Sequence, residues 1–288
     1  EKGRFYGQVP GQFAGIYQME KDTFPSVILF SGLEFKNVSV RRDVLEVEIP
    51  SENYDELTWV IDGKKVEGKF VRKEDSSHFY QIPVGQYLNG PHVLGAQERG
   101  QGIETRFEID FPRISIQKVK DPVGDDQGPE GKYAYPTHES FDHQMDIASV
   151  EVLSQGKNIW LEVQMAKPLS TVWNPPNGFD HLLLSVYIDV PCQEGTQILP
   201  FRHAQTPSGF DWDYASHVGG WENNLYQAEG AQPEKSGTSV KPAPTIEADG
   251  EKGIIRLLFS AQSLGNPESL AGIQFYLTTW DGGGEGGL

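Results

Sequence analysis

Three carboxylates are grouped in one short, turn-rich segment of the sequence. Asp121, Asp125 and Asp126 lie in a stretch that Pro122 and Gly124 interrupt. Carboxylates this close repel one another unless water solvates them or a cation bridges them. Calcium takes about six to eight hard oxygen ligands, including backbone carbonyls that a glycine-rich loop can present. The spacing is not that of an EF-hand loop, so the residues alone leave two interpretations open, a solvated acidic loop or a metal site.

Aromatic side chains are the second candidate chemistry, because sugar-binding proteins stack pyranose rings on tryptophan and tyrosine. Five aromatic residues lie in loop-rich, polar neighbourhoods: Trp173, Trp212, Tyr214, Trp221 and Tyr226. Nearby amides could hydrogen-bond sugar hydroxyls: Asn174, Asn177, Asn223 and Asn224. Tryptophan is highly buried on average, so the alternative for each aromatic residue is a packing role. We predict that at least one of the five forms a sugar platform.

Paired carboxylates near aromatic residues are also typical of glycosidase active sites. Asp211, Asp213 and Glu222 are the candidates, but the two aspartates would share one face of a strand, as on an ordinary solvated surface. The sequence contains no nucleophile elbow, H-E-x-x-H zinc motif or phosphate-binding loop. We therefore predict that the chain by itself is not an enzyme, and a free-standing glycoside hydrolase is the weakest alternative.

Composition and charge narrow the class of partner. The 288 residues carry a formal net charge of −17 at pH 7, which argues against nucleic acid and against docking on anionic lipid. No apolar run approaches the roughly 20 residues that a membrane span needs. A single cysteine, Cys192, excludes an internal disulfide and a cysteine-based metal cluster. The acidic and turn-rich composition, with 32 glycines and 19 prolines, favours an extracellular β-protein.

Short strand patterns at intervals of about 8–12 residues indicate a β-sandwich over residues 25–111. The strand signals are 27–30, 45–49, 57–61, 68–72 as an edge strand, 93–97 and 105–111. Within them Leu45, Val47 and Ile49 alternate with glutamates, and Asp62-Gly63 predicts a hairpin turn. We take residues 1–24 as a linker or the tail of a preceding domain. We place a domain boundary after Phe111, where the excess of acidic residues rises.

Residues 112–288 also show the patterns of antiparallel β-structure. The strand signals are 114–116, 147–153, 158–165, 182–190, 253–260 and 273–279. The clearest alternation places Ile159, Leu161, Val163 and Met165 on one face. The stretch 191–245 is loop-rich and offers only short aromatic strand candidates. The predicted fold class is therefore all-β, with two β-sandwich domains.

A hairpin in the first domain is followed by a phrase of fixed spacing. The hairpin lies in WVIDGKKVEG, and the phrase L-x-G-x-H-x-L is formed by Leu88, Gly90, His92 and Leu94. In this order they resemble the immunoglobulin-like and fibronectin-type domains of bacterial extracellular proteins. The resemblance implies a spacer or positioning domain over residues 25–111. His92 is expected to be a packed histidine, because one histidine defines no site.

The acidic segment opens a longer motif in the second domain. It reads DPVGDDQGPEGKYAYPT from Asp121 to Thr137 and continues with FDHQMDI. This motif resembles the C-terminal module of glucodextranase and related modules of amylopullulanases. Three later segments share the resemblance: WNPPNGFDHLLLSVYID, Gly220-Trp221 and WDGGGEGG. The sequence departs from that pattern at the inserted Glu130, and it stops at Leu288, where a further strand led by arginine is expected.

The resemblance over residues 112–288 implies a β-sandwich related to the family-nine carbohydrate-binding modules. It also implies a structural calcium ion with the ligands Asp121, Asp125, Asp126, Asp146 and Asp281. The predicted function is a non-catalytic carbohydrate-binding or cell-surface-attachment region, extracellular or at the cell surface, associated with α-glucan processing. Its partner would be a polysaccharide or cell-wall glycan. The alternative is a structural or assembly module that packs on a glycoside hydrolase catalytic domain.

Overall fold

The computed structural model describes residues 4–9, 13–18, 34–50, 57–98, 101–127 and 144–281, the first two ranges by their backbone alone. The chain divides into two compact units, unit 1 with Glu1–Gly85 and Asn89–Asp110, and unit 2 with Gln86–Leu88 and Phe111–Leu288. The described residues form antiparallel strands, and their one helical segment is a 3-10 turn at Ala261–Leu264. The predicted all-β fold class is confirmed. No helix in the described part of the chain has the length and apolar character needed to cross a membrane.

Unit 1 is built from two four-stranded antiparallel sheets and a separate hairpin. Its strands are β1 (Arg4–Val9), β2 (Phe13–Gln18), β3 (Asn37–Arg41), β4 (Val44–Pro50), β5 (Thr58–Ile61), β6 (Lys64–Val66), β7 (Lys69–Glu74), β8 (Ser77–Pro83), β9 (Gly90–Glu98) and β10 (Gln101–Ile109). The sheets have the strand orders β3-β4-β8-β7 and β10-β9-β5-β6, and β1 pairs with β2.

Local sequence patterns account for the core of unit 1. Leu45, Val47 and Ile49 of β4 are 0%, 1% and 0% exposed, so the predicted alternation places one face of this strand in the core. Asp62 and Gly63 form the predicted turn between β5 and β6 and have φ angles of 49° and 77°. Those left-handed angles are what a two-residue type I′ hairpin turn requires.

The remaining predictions in unit 1 concern its edges. Strand β7 is exposed along its whole length and lies at the edge of its sheet, as predicted. His92 hydrogen-bonds to the Asp62 carboxylate at 2.6 Å, and its ring lies 5.6 Å from that of Phe107, which is the packing role expected for it. The strand signal at 27–30 lies outside the described residues.

Unit 2 contains two five-stranded antiparallel sheets. Its strands are β11 (Ile114–Lys120), β12 (Ile147–Gln155), β13 (Asn158–Met165), β14 (Leu182–Asp189), β15 (Ile198–Leu199), β16 (Ala204–Gln205), β17 (Tyr214–Val218), β18 (Asn223–Gln227), β19 (Thr238–Ser239), β20 (Thr245–Asp249), β21 (Ile254–Phe259) and β22 (Gln274–Asp281). Sheet A has the order β11-β12-β13-β21-β20, and sheet B has the order β19-β18-β17-β14-β22. Strands β15 and β16 pair separately.

The core of unit 2 joins the facing sides of sheets A and B. Leu161 and Val163 of β13 and Leu184 and Val186 of β14 are fully buried in one cluster. Apolar side chains of two facing sheets packed in this way provide the main favourable free energy of a β-sandwich. The alternation predicted for β13 is therefore confirmed.

The stretch 191–245 contains more sheet than its sequence indicates. Strand β17 lies inside sheet B between β14 and β18. Four of its five residues are buried, Tyr214, Ala215, Ser216 and Val218. A short strand that is buried on both faces shows no alternation of polar and apolar residues. The sequence therefore provided no periodic signal for this strand.

Candidate functional site

Two tryptophans meet on the surface of unit 2. Trp173 is 47% exposed and Trp221 is 57% exposed. Their ring centroids are 6.4 Å apart, and the ring planes are inclined by 34°. Trp173 lies in the loop before β14, and Trp221 lies in the turn between β17 and β18. We call this pair the indole platform.

A buried, hydrogen-bonded pair of side chains supports the first ring of the platform. The imidazole of His181 stacks on Trp173, with ring centroids 3.9 Å apart and planes inclined by 21°. His181 Nδ1 hydrogen-bonds to Asp180 Oδ1, and Asp180 Oδ2 accepts the backbone N–H of Trp173 at 2.8 Å. Because His181 covers one face of the indole, a ligand could stack only on the opposite face.

Hydrogen bonds between the two loops set the position of the second ring. The side-chain amide of Asn177 donates to the carbonyl oxygens of Gly219 at 2.7 Å and Glu222 at 3.1 Å. Gly220 lies so close to the other loop that an added Cβ would be 2.6 Å from the carbonyl oxygen of Phe179. Only glycine permits this approach, and the approach holds Trp221 beside Trp173.

Polar groups adjoin the platform. Glu222 follows Trp221 and is exposed, and Asn174 follows Trp173 and is exposed. Partial burial raises the pKa of Glu222, against the opposing effect of the positive Arg202. The guanidinium of Arg202 lies 4.6 Å from the ring centroid of Trp280. Flat apolar rings with a carboxylate and an amide beside them can stack on a sugar ring and hydrogen-bond its hydroxyls.

The other three aromatic candidates are buried or half-buried. Trp212 is fully buried, and its Nε1 donates to the carbonyl oxygen of Ile198 at 2.8 Å. Tyr214 is 4% exposed and belongs to the main core. Tyr226 is half-buried on β18, with its ring 5.9 Å from that of His217. Trp212 and Tyr214 therefore pack, since a sugar ring cannot reach them.

The acidic segment brings several of the candidate metal ligands near one another. Asp146 is 2% exposed, and its Oδ2 accepts the backbone N–H of Gly124 at 2.9 Å. Burial raises the pKa of Asp121, and the negative charges of Asp125 and Asp146 raise it further. Asp126 is half-buried in the same segment. Asp121, Asp125 and Asp146 therefore lie close enough to interact electrostatically.

The fifth candidate ligand lies at the end of β22. Asp281 is two residues beyond Thr279, whose hydroxyl donates to the carbonyl oxygen of Met145 at 2.7 Å. The end of β22 therefore lies against the start of β12, next to Asp146. Among the described residues, no three side chains of His, Cys, Asp or Glu converge closely enough to hold a metal ion by themselves. Residues 128–143, which carry the rest of the opening motif, lie outside the described part.

Asp211 and Asp213, the two aspartates of the candidate glycosidase pair, have different surroundings. Asp211 is exposed, whereas Asp213 is 2% exposed and its Oδ2 accepts the N–H of Val190 at 2.6 Å. Burial, and then the negative charges of Asp189 and Asp211, raise the pKa of Asp213 to about 6. The expectation of a solvated face for both aspartates is therefore wrong for Asp213, because this side chain turns inward to accept a backbone N–H.

Comparison with known protein families finds one match. It extends over residues 116–287, more than half of the chain, and the family is described as the C-terminal binding module, SLH-like, of glucodextranase. This chain belongs to that family. The matched range includes the indole platform and the acidic segment, and it confirms the resemblance of the second domain. No curated protein matches the chain. The match does not reach residues 25–111, so their resemblance to immunoglobulin-like domains stays a prediction.

Two side chains that shape the platform of this module, Asp180 and His181, were not among the predicted site residues, and Asn177 was predicted only as an amide that could bind sugar hydroxyls. Asn177, Asp180 and His181 all lie in the segment WNPPNGFDH, which carried part of the resemblance. The resemblance therefore pointed to this segment, but the sequence alone did not show which of its residues support the platform. The roles depend on contacts with Trp173 and with the turn between β17 and β18, which are distant in sequence.

Proposed function

We propose that the chain is a non-catalytic carbohydrate-binding region of an extracellular or cell-surface α-glucan-processing system. The observation that carries the proposal is the indole platform, formed by two exposed tryptophans in a member of a binding-module family. The family description associates this module with glucodextranase. The acidic, turn-rich composition supports an extracellular location.

The geometry of the platform favours one mode of binding. A sugar held between two rings would need van der Waals contact of about 3.5–4.0 Å on each side, or about 7–8 Å between the rings. The centroids of Trp173 and Trp221 are only 6.4 Å apart. A glycan therefore does not fit between the rings and would stack on the exposed surface of the platform, on the face of Trp173 that His181 leaves open.

The test is affinity electrophoresis of the full chain through gels that contain soluble α-glucans. We expect the wild-type chain to be retarded, and Trp173→Ala or Trp221→Ala to weaken binding at least tenfold, or about 1.4 kcal/mol. Phe201→Ala is the matched control, because Phe201 is also an exposed aromatic residue of unit 2, 45% exposed. Equal mobility of the wild-type chain in every α-glucan gel would exclude α-glucan recognition. Retardation that neither substitution reduces would place the glycan elsewhere.

A second candidate role rests on a different surface. Strand β11 lies at the edge of sheet A and exposes Ile114, Ile116 and Val119 by 57%, 56% and 52%. Exposed apolar side chains on an edge strand favour contact with another protein surface. The alternative proposal is therefore a structural or assembly module that packs on a catalytic domain. If Ile114→Lys no longer packs on the catalytic domain but still binds α-glucan, the packing role and the binding role lie on different surfaces.

For unit 1 we propose an immunoglobulin-type spacer. The strand orders β3-β4-β8-β7 and β10-β9-β5-β6 support it. If β3 is taken as the first strand of the fold, the first sheet has the A-B-E-D order of immunoglobulin sandwiches, and the second contains their G-F-C order. A sandwich of this kind would act as a spacer or positioning domain for the binding module.

We further propose that calcium stabilises the acidic segment. Since no three described side chains converge on one point, calcium would take its hard oxygen ligands from one or two of Asp121, Asp125 and Asp146, and backbone carbonyls and water would complete its shell. The mutual effect of these carboxylates on the pKa of Asp121 supports the proposal. Bound calcium would neutralise their repulsion and join the end of β11 to the start of β12.

Thermal unfolding with calcium and with chelator tests this ion. A site at 100-fold excess over its dissociation constant adds about 2.7 kcal/mol of stability, which for a unit of this size raises Tm by about 5–10 °C. The double variant Asp121→Asn with Asp125→Asn should lose this response. Asp211→Asn, also an exposed aspartate of unit 2, should keep it. An equal Tm of the wild-type chain in calcium and in chelator would contradict the proposal.

A further inference from the structure

The buried pair below the platform has a role that follows from its geometry. We propose that Asp180 and His181 are positioning residues, which hold the Trp173 indole in the orientation that binds glycan. The inference rests on the proposed function of the platform. It concerns two residues that would not touch the ligand, since Trp173 lies between His181 and the open surface.

Complete burial of an ionisable pair needs a physical reason, because burying charged or polar groups is costly unless they are hydrogen-bonded. Asp180 is 1% exposed and His181 is 2% exposed. Burial by itself would raise the pKa of Asp180, but hydrogen bonds from the Trp173 N–H, Ser170 and His181 lower it below its usual value. Asp180 is therefore a carboxylate whose hydrogen bonds are directed at the loop that carries the indole.

The two oxygens of Asp180 join the backbone of Trp173 to the ring on which Trp173 rests. One oxygen accepts the Trp173 N–H at 2.8 Å, and the other hydrogen-bonds to His181 Nδ1. The backbone N–H of Asp180 donates to the carbonyl oxygen of Ser170 at 2.9 Å, which ties the start and the end of the loop together. One carboxylate thus sets both the path of the loop and the plane of the imidazole.

A hydrogen-bonded imidazole orients a neighbouring ring better than an apolar side chain does. The torsion that rotates a ring about its bond to Cβ is broad, but the bond from His181 Nδ1 to Asp180 restricts it. The Trp173 ring follows the imidazole plane to within 21° at 3.9 Å. Preorganised rings lose less conformational entropy when a ligand binds, so the support should increase glycan affinity.

The backbone at His181 adds an independent observation. Its φ angle is 64°, in the left-handed region that non-glycine residues rarely adopt. Such a conformation is costly and persists where the surroundings over-determine it. His181 lies directly before β14, and from this backbone conformation its imidazole stacks on the Trp173 ring.

The experiment compares α-glucan affinity, near-ultraviolet circular dichroism and thermal unfolding of full-chain variants. His181→Ala removes the supporting ring, His181→Phe restores a ring without its hydrogen bond, and Asp180→Asn keeps the shape but removes the charge. We expect a tenfold or greater loss of affinity in His181→Ala, a smaller loss in His181→Phe, and a changed tryptophan dichroism in both. A purely structural role would lower Tm in His181→Ala but leave the glucan affinity of the folded protein unchanged.

Two controls separate positioning from stability and from the proposed function. Ile159→Ala removes a buried side chain of sheet A, so it should lower Tm and leave glucan affinity unchanged. If Trp173→Ala abolishes binding while His181→Ala, His181→Phe and Asp180→Asn bind as the wild type does, the positioning role is refuted and the platform stands. If Trp173→Ala itself binds normally, the proposed function fails, and the positioning role fails with it. If His181→Ala does not fold, reduced glucan affinity in folded His181→Phe and Asp180→Asn supports the positioning role, and wild-type affinity in both refutes it.

Discussion

Asp213→Asn is expected to stabilise unit 2 by about 2 kcal/mol at pH 7.5 and to leave its stability nearly unchanged at pH 4. Burial and the charges of Asp189 and Asp211 raise the pKa of Asp213 to about 6. In the part of the chain that the structure describes, its Oδ1 is buried without a hydrogen-bond partner. Asparagine keeps an acceptor for the Val190 N–H and removes the charge.

The direction of this pH dependence follows from the pKa values of Asp213 in the folded and unfolded states. Its pKa is raised in the folded protein to about 6 from an unfolded value of 3.8, so the folded state binds the proton more tightly. The stability from this group is therefore fully present below pH 3.8 and is lost as pH rises to about 6. A shift of about two pKa units corresponds to about 3 kcal/mol, and the weaker hydrogen bond to asparagine reduces the expected gain.

Urea unfolding of the wild type and the variant at pH 4, 5, 6, 7 and 8 measures this effect. The comparison cancels groups that both proteins share, such as His217, whose pKa burial lowers to about 4. Asp211→Asn is the control, because Asp211 is exposed. It should give a smaller gain in stability, because it only removes a negative charge that acts on Asp213. A gain in Asp213→Asn that is the same at pH 4 and pH 8 would show that charge is not its cause.

Trp212→Ala is expected to lower the free energy of unfolding by about 3–5 kcal/mol, as substitutions of large buried aromatic side chains do. Trp212 is fully buried in a cluster with Tyr187, Phe210 and Leu199, and its ring centroid lies 5.7 Å from that of Tyr187. The substitution also leaves the carbonyl oxygen of Ile198 without its indole donor. The effect on stability should therefore be among the largest for a single aromatic residue of unit 2.

Chemical unfolding, together with glucan affinity at a temperature where both proteins are folded, tests this prediction. Trp173→Ala is the matched comparison, since it also removes an indole but one that is 47% exposed. It should change stability much less and affinity much more than Trp212→Ala. A Trp212→Ala variant as stable as the wild type would show that the indole does not fill the core.

Strands whose sequence alternates between polar and apolar residues were predictable in unit 1 and in unit 2. In β4 and β13 every second side chain is apolar, and one face of a strand can pack only if this period of two is kept. The turn at Asp62-Gly63 was predictable because its left-handed backbone favours those two residue types. Strand β17 was not predictable in this way, because both of its faces are buried and its sequence does not alternate.

In the candidate site too, some features follow from the local sequence and others from contacts between residues that are distant in sequence. The sequence by itself determined the residue types, five aromatic side chains beside amides and carboxylates, and the motif that places them in a binding-module family. It could not determine which aromatic rings reach solvent, because Trp173 and Trp212 both lie in loop-rich, polar stretches of sequence. Only the tertiary structure decided this, since exposure depends on strand pairing and loop contacts between distant residues. Those contacts bury Trp212 beneath Leu199 and Phe210 and bring Trp173, His181 and Trp221 together at the surface.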